Sequence, residues 1–262
     1  MPNRWTTKEE ENYRKEIVEL YEIQNLSLGE VAIALNLKES TLYARMGRLG
    51  IRCTPDKKPR HNNKKQNIVL PKYSVLLAEF MGIMLGDGHL SPFQATVTLG
   101  TKELPYVEYV ASLMEHLFNT PATINVRKDG YRNVYIGSVE LTRWLQKEGL
   151  VYNKVASQVD VPSWIFERKE WKVAFLKGFF DTDGSVYKLK FGIQISLTNM
   201  SLPMLVSLRR ILIELEYKPS EISAGVVVYL TRRKDVERFF REIKPANTKH
   251  QQRFENFSCV GR

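Results

Sequence analysis

The stretch Phe80-Met-Gly-Ile-Met-Leu-Gly-Asp87-Gly88 recurs later in the chain as Leu176-Lys-Gly-Phe-Phe-Asp-Thr-Asp183-Gly184. Each copy is a mainly apolar run that closes on Asp-Gly, and the acid of the second copy lies 96 residues after the acid of the first. Two copies that match in register indicate that the chain contains a duplicated unit.

The apolar spacing within each copy predicts a helix that ends at its acid. Gly88 and Gly184 are expected to terminate the two helices as left-handed residues. A carboxylate at a helix C-terminus meets the negative end of the helix dipole, which costs about 0.3–1 kcal/mol. Such an arrangement at both Asp87 and Asp183 indicates that the two acids hold a cation.

Small residues recur four positions apart in each copy, as Gly82 and Gly86 in the first and as Gly178 and Thr182 in the second. This spacing predicts that the two helices cross with their backbones in close contact, which would bring both acids together. Carboxylates and main-chain carbonyl oxygens are ligands that suit Mg²⁺. The predicted metal ligands are therefore Asp87 and Asp183, with main-chain oxygens at Gly86 and Thr182.

Both copies resemble the nine-residue signature of the LAGLIDADG homing endonucleases, and the resemblance covers about residues 70–257. The departures from the consensus are Leu85 in the first copy and Lys177, Phe179, Phe180 and Thr182 in the second. The resemblance implies a single-chain, two-motif endonuclease of the kind associated with intron mobility, in which Asp87 and Asp183 are the catalytic acids. It also implies hydrolysis of one phosphodiester bond in each strand of a long double-stranded DNA target. Mg²⁺ is expected to support cleavage, whereas Ca²⁺ is expected to support DNA binding without cleavage.

Water-positioning residues in this family are usually Gln or Lys on strands near the acids. The candidates are Gln94, Gln194, Lys102 and Lys190. Two other functions stay open: a catalytically silent DNA-binding regulator on the same scaffold, and an RNA maturase that assists intron splicing. An intein is not expected, because the terminal residues do not match splicing junctions.

The composition favours a polyanionic partner. The 262 residues include 39 Lys and Arg against 29 Asp and Glu, which gives a formal net charge of +10. Nucleic acid is the leading partner. The longest apolar runs, around Val75–Leu85 and Val173–Phe180, are too short to span a bilayer, so no membrane association is expected. The isolated Cys53 and Cys259 form no disulfide framework. We expect a monomer in the cytoplasm, or in an organellar matrix if the gene lies in an intron.

The N-terminal region, residues 1–51, predicts three helices, with Ser27 and Ser40 as the caps of the second and third helices. The helix, turn and helix at its end have the outline of a helix-turn-helix DNA-binding domain; a small structural three-helix unit is the alternative. The predicted DNA contacts of the third helix are Thr41, Tyr43, Arg45 and Arg48. Residues 52–69 form a basic linker whose Lys57, Lys58, Arg60, Lys64 and Lys65 are expected to lie along phosphates.

Residues 70–150 and 173–262 each predict the order αββαββα, with residues 151–172 as the joining segment. The fold class is therefore α+β, with two pseudo-symmetric units and saddle-shaped sheets. Each half should contain a four-stranded antiparallel sheet with helices on one face. The strands expected in the second half are Val186–Lys190, Ile193–Thr198, Glu221–Ser223 and Val226–Thr231.

The other face of each sheet is polar, and it is either solvated or bound to DNA. Hydroxyl, amide and Arg side chains can read base edges in the major groove. The candidates in the first half are Thr96, Thr98, Thr123, Asn125, Arg127, Tyr131, Asn133 and Tyr135. Those in the second half are Ser196, Thr198, Tyr229 and Thr231.

Overall fold

The computed structural model describes residues 7–24, 26–52 and 68–259. The chain divides into two compact units, Met1–Asn62 and Asn63–Arg262, and the second contains both Asp-Gly motifs. No helix among the described residues is both long enough and apolar enough to cross a membrane.

The N-terminal unit contains three α-helices in its described part. They are α1 (Thr7–Val18), which continues as a π-helical turn (Glu19–Ile23), α2 (Leu28–Ala34) and α3 (Glu39–Arg48). Ile17, Val31 and Leu42, one from each helix, are fully buried and form its core. Ser27 caps α2 as predicted. The predicted cap of α3 at Ser40 is wrong, because α3 begins two residues earlier than that cap implies and has Lys38 at its N-cap.

The first half of the larger unit follows the predicted order. Its elements are α4 (Val75–Leu85), β1 (Gly88–Ser91), β2 (Gln94–Leu99), α5 (Leu104–Phe118), β3 (Thr123–Val126), β4 (Arg132–Gly137) and α6 (Val139–Lys147). The four strands form one antiparallel sheet in the order β1-β2-β4-β3. The hydroxyl of Ser74 caps α4 and that of Ser138 caps α6.

The second half begins earlier than predicted and ends with an additional helix. A short 3₁₀ helix (Ser163–Glu167) precedes the second motif helix, which starts at Lys169, inside the expected joining segment. The elements are α7 (Lys169–Asp183), β5 (Gly184–Leu189), β6 (Gly192–Thr198), α8 (Leu202–Glu214), β7 (Val227–Leu230), α9 (Arg233–Glu242) and α10 (Thr248–Cys259). Strands β5, β6 and β7 form an antiparallel sheet. Helix α10 was not predicted.

The predicted fourth strand of this half, Glu221–Ser223, is wrong for the described chain. Only an isolated bridge joins Ser223 to Val227. Upstream, the Ser220 hydroxyl accepts a hydrogen bond from the Tyr229 N–H at 3.0 Å, in the place of a strand carbonyl. Pro219 comes just before and has no N–H to donate. A side chain thus replaces part of the ladder, and the segment does not continue as a strand.

The close crossing of α4 and α7 is confirmed. A Cβ atom added to Gly82 would overlap the carbonyl oxygen of Phe175 and lie 2.7 Å from the backbone nitrogen of Phe179. One added to Gly178 would overlap the carbonyl oxygen of Glu79. The obstructing atoms belong to the backbone, so rotation of a side chain cannot make room for a methyl group. Glycine at both positions therefore lets the two helices touch.

The prediction that Gly88 and Gly184 adopt left-handed conformations is wrong. Gly184 has φ −86° and ψ 157°, which is extended backbone, and Gly88 is not among the positive-φ residues. Both begin strands instead. A Cβ at Gly88 would overlap the backbone of Met84, and one at Gly184 would overlap the ring and carbonyl oxygen of Phe180. Close approach, rather than backbone handedness, requires these glycines.

Gly82→Ala is expected to destabilise the larger unit by about 1–3 kcal/mol, because the methyl group would push two backbones apart. Gly47→Ala is the matched control, since this glycine also lies in a helix and has no atom within 4 Å of the added Cβ. Alanine favours a helix over glycine by about 1 kcal/mol, so the control should keep or gain stability. Denaturant unfolding measures both; equal behaviour of the two variants would contradict the tight crossing.

Candidate active site

The two motif acids lie at the same end of the helix crossing. Asp87 is in the turn after α4, and Asp183 is the last residue of α7. A Cβ added to Gly86 would overlap the Thr182 hydroxyl and lie 3.4 Å from the carboxyl carbon of Asp183. The small residue Gly86 therefore lets the end of α4 lie against Thr182 and Asp183 of α7.

Both acids have raised pKa values. Burial is the main cause at Asp183, and together with the negative charge of Asp87 it raises the pKa of Asp183 to about 7. Burial also raises the pKa of Asp87, against the positive charges of Lys249 and Lys154. The Asn199 side-chain amide donates to Asp183 Oδ2 at 3.3 Å and orients that carboxylate.

Lys154 lies at the end of α4, in the segment that joins the two halves. Its ammonium group donates to the carbonyl oxygens of Met84 at 3.1 Å and Leu85 at 3.2 Å, and also to that of Gly86. Burial lowers the pKa of Lys154, while the charges of Asp183 and Asp87 raise it. Lys154 thus supplies a positive charge beside both acids.

A second cation, Lys249, is held in place by Glu103. Its ammonium group lies 2.6 Å from Glu103 Oε1, and its charge lowers the pKa values of both motif acids. The Asn247 amide also donates to Glu103, at 2.7 Å. Since Glu103 precedes α5 and Lys249 belongs to α10, this contact joins the two halves beside the acids.

The buried carboxylate of Asp181 fixes the start of α10. It accepts the backbone N–H groups of Ala246 at 2.9 Å and Asn247 at 3.0 Å. Burial raises the pKa of Asp181 to about 7, although these two bonds lower it. Asp181, the sixth residue of the second motif, thus anchors α10, the helix that carries Lys249. The first motif has Leu85 at the equivalent position.

Sequence reasoning did not identify Lys154, Lys249, Glu103 or Asn199. The duplication of the chain could have drawn attention to one of these residues, Lys154. The offset of 96 residues that relates the motifs also relates Lys154 to His250, and both follow the last predicted helix of their half. Their contacts depend on how the chain returns to the motif helices, which no local pattern indicates.

The structure does not bring Gln94, Gln194 and Lys190 to the acids. Gln94 pairs with Ser91, three residues beyond Gly88, which is about 10 Å along the strand. Gln194 is similarly placed, since it pairs with Tyr187. Lys190 lies farther out, in the hairpin turn after β5. Lys102 is in the turn after β2, next to Glu103, and is the nearest in sequence to the site.

The predicted polar face of the first sheet is formed. Thr96 is cross-strand from Tyr135, which is in turn cross-strand from Thr123. A second row contains Thr98, Asn133 and Asn125 in the same way. The Thr98 hydroxyl donates to Asn133 Oδ1 at 3.0 Å. At the hairpin between β3 and β4, Arg127 forms an ion pair with Asp129 at 2.8 Å and its guanidinium lies over the ring of Tyr131.

The second sheet presents a shallower polar face. A concavity of about 450 Å³ lies over it and is lined by Gln194, Ser196, Thr198 and Tyr229, among others. Ser196 is only 2% exposed, so its hydroxyl lies at the bottom of the concavity. Thr231 follows β7 and lines a different cavity, with Phe254 of α10.

The predicted DNA contacts of α3 are only partly at the surface. Tyr43 is exposed and Thr41 is half-buried. Arg45 donates to the Tyr13 hydroxyl at 2.8 Å, and Arg48 forms an ion pair with Glu10 at 2.8 Å, so both arginines contact α1. The linker candidates Lys57, Lys58, Arg60, Lys64 and Lys65 lie outside the described residues.

The donor set fits a divalent cation held by two carboxylates. Within the described residues, no group of three or more His, Cys, Asp or Glu side chains could hold a metal ion. The two motif acids, both buried and both with raised pKa values, are the candidate ligands. Mg²⁺ commonly keeps several waters beside one or two carboxylates. Gly86 is a poorer ligand than predicted, because Lys154 already donates to its carbonyl oxygen. The Thr182 carbonyl remains a candidate.

Two αβ halves joined by crossing Asp-Gly helices form the larger unit. Residues 170–244 match the LAGLIDADG-like domain family. A stretch of 117 residues is 32% identical to the replication factor C small subunit of Methanocaldococcus jannaschii, and it covers 44% of this chain and 6% of that protein. The chain therefore spans only a small part of this curated relative. The family match therefore covers the second motif helix and the elements that follow it, as far as α9.

The fold is similar to that of a solved homing endonuclease. The homing endonuclease I-WcaI bound to its DNA recognition sequence has a TM-score of 0.51 at 12% identity, over 71% of this chain and 88% of that one. I-DmoI in complex with DNA and Ca has a TM-score of 0.48 at 17% identity, over 64% and 88%. The N-terminal LAGLIDADG domain of DUF199/WhiA has 0.47 at 19% identity, over 66% and 86%.

The raised pKa of Asp183 predicts a pH-dependent stability in the metal-free protein. The carboxyl is protonated up to about pH 7 in the folded state but only up to its ordinary value of 3.8 when unfolded. The folded protein then holds more protons between these values, so its free energy of unfolding falls as pH rises through this window. In Asp183→Asn the free energy of unfolding should fall less over this window. The difference should be about 1.4 kcal/mol per pH unit between the two pKa values, or a few kcal/mol in total.

Denaturant unfolding of both proteins at pH 5 and pH 8, in the presence of a chelator, measures the difference. The variant should gain stability relative to the parent as the pH rises. An equal loss in both proteins would show that Asp183 titrates normally.

Proposed function

We propose that this protein is a site-specific double-stranded DNA endonuclease that hydrolyses one phosphodiester bond in each strand. The observation that carries the proposal is the pair of buried acids, Asp87 and Asp183, at the ends of two crossing helices. Because both acids come from one chain, a monomer contains a complete pair. Two polar sheet faces follow directly from these helices, so a duplex lying along them would pass the acids.

The chain's own residues have three tasks at the cut. Asp87 and Asp183 would hold divalent cations, which would supply charge neutralisation and an activated water when bound. Lys154 and Lys249 place two positive charges where a phosphate that gains negative charge is stabilised. Asn199 holds the Asp183 carboxylate in one orientation through its amide.

The sheet faces supply recognition. Their hydroxyl and amide groups match the donors and acceptors that base pairs present in the major groove. The net charge of +10 favours approach to the phosphate backbone. Such a surface reads many base pairs weakly rather than a few strongly, which suits a long target site.

Asp87→Asn and Asp183→Asn should each lower double-strand cleavage by orders of magnitude, since each removes one ligand charge while preserving shape. DNA binding in Ca²⁺ should persist in both. Plasmid cleavage with Mg²⁺, using DNA that flanks the gene or a target selected from a random library, measures the effect. Asp160→Asn, an exposed acid in the joining segment, is the matched control and should retain cleavage.

Cleavage that survives in both motif variants would overturn the assignment of the acids. Specific DNA binding without cleavage in any divalent metal would favour a regulator on this scaffold. Selective binding to structured RNA would favour a maturase.

For the N-terminal unit we infer a helix-turn-helix that binds DNA through the exposed side of α3. Tyr43 and Ala44 are exposed on α3, and Arg45 and Arg48 contact α1. A small residue such as Ala44 allows the helix backbone to approach base edges closely. The arginines would then stabilise the domain and support the helix from behind.

Ala44→Glu should weaken DNA binding by about tenfold, because a carboxylate would face the negative groove, a cost comparable to about 1.4 kcal/mol. Asn12→Glu adds a negative charge to the exposed side of α1 in the same unit and is the matched control. Fluorescence anisotropy with the same duplex measures both variants. Equal affinities would show that α3 does not enter a groove.

A further inference from the structure

The duplication of the chain extends to the segments that close the end of each motif helix. Lys154 and His250 differ by the same 96 residues as the two acids. In the first half Lys154 donates to the carbonyl oxygen of Leu85, and in the second half the ring of His250 lies 3.4 Å from the carbonyl oxygen of Asp181. Leu85 and Asp181 are themselves related by the offset. Each half therefore returns to its own motif helix and covers an equivalent carbonyl.

The groups that donate to these carbonyl oxygens carry different charges at the two helix ends. At α4 the donor is an ammonium group that contacts three successive carbonyl oxygens, including that of Gly86. At α7 the donors to the Asp181 carbonyl are the Asn247 amide, at 3.1 Å, and the imidazole of His250. Burial is the main cause that lowers the pKa of His250 to about 3, so this ring is neutral.

The neighbouring cation does not restore the symmetry. Lys249, the residue before His250, turns to Glu103 and lies 2.6 Å from its carboxylate. Its positive charge is paired there, and it acts on both motif acids. Only the α4 end therefore has a cation fixed directly on its main-chain oxygens.

We propose that Lys154 is an internal cation that takes the place of a divalent ion at the α4 end, so that the two motif acids bind metal with unequal affinity. The inference rests on the proposed metal-dependent function and adds that its two halves are not equivalent. A metal ion that uses the main-chain oxygen of Gly86, a residue that lies beside Asp183, must compete with the ammonium and is repelled by its charge. At the end of α7 the donors to the Asp181 oxygen are neutral, and no cation among the described residues is bonded there as Lys154 is at α4.

Mn²⁺ titration of the full-length protein tests this asymmetry without DNA, with unbound Mn²⁺ followed by electron paramagnetic resonance. The parent should bind one ion strongly and a second at least tenfold more weakly. Lys154→Met should strengthen the weaker site at least tenfold, because it removes the competing charge. Lys154→Gln, which keeps a donor for the carbonyls, should do the same and covers the case in which the Met variant does not fold.

Lys249→Met is the matched control, since it removes a positive charge that acts on both acids. Because its ammonium is bonded to Glu103 rather than to the carbonyl oxygens of α4, this variant should change the ratio of the two affinities less than either Lys154 variant does. Two equal sites in the parent, an unchanged weaker site in both Lys154 variants, or an equal effect of Lys249→Met on the ratio would overturn the proposal. Those results leave the nuclease function standing. Absence of Mn²⁺ binding in every variant would overturn the metal-dependent function together with the asymmetry.

Discussion

The rest of the larger unit depends on the contact between α4 and α7, where Gly82 and Gly178 let two backbones touch. At the other end of this crossing the carboxylate of Glu79, 3% exposed, lies 2.9 Å from the Lys177 ammonium, which also donates to the Tyr109 hydroxyl at 2.7 Å. A buried ion pair adds little net stability but is costly to separate. Because Phe175 and Met81 occupy the positions related by the duplication, the pair exists on one side only and selects one register of the crossing.

The sequence indicated those parts of this architecture that local patterns encode. Glycine spacing predicted the crossing, and the predicted order αββαββα is found in the first half. Features that depend on where the chain packs back against the motif helices were not predicted. Examples are α10 and its contact with Asp181. The fourth strand of the second half failed for a local reason, since Pro219 and the Ser220 hydroxyl replace the ladder that Glu221–Ser223 would have continued.

Predictions of side-chain roles were weaker than predictions of elements, because residue type does not fix distance. Gln94 and Gln194 were chosen as polar residues on strands near the acids, but the register places them about 10 Å along their strands. Arg45 was expected on the outer side of α3, yet its long side chain reaches Tyr13 on α1. In both cases the strand or helix was predicted correctly, but the position of the residue along it determines what its side chain can contact.

The active-site acids combine two opposing electrostatic effects. Burial and mutual repulsion favour their protonated forms, whereas Lys154 and Lys249 favour their charged forms. The lysines compensate only in part, since the pKa of Asp183 remains at about 7. A divalent cation binds the deprotonated carboxylates, so it must displace any proton that Asp183 still holds. The helix crossing that brings the acids together thereby makes metal binding weaker as the pH falls below about 7, while the lysine charges limit how strongly protons compete.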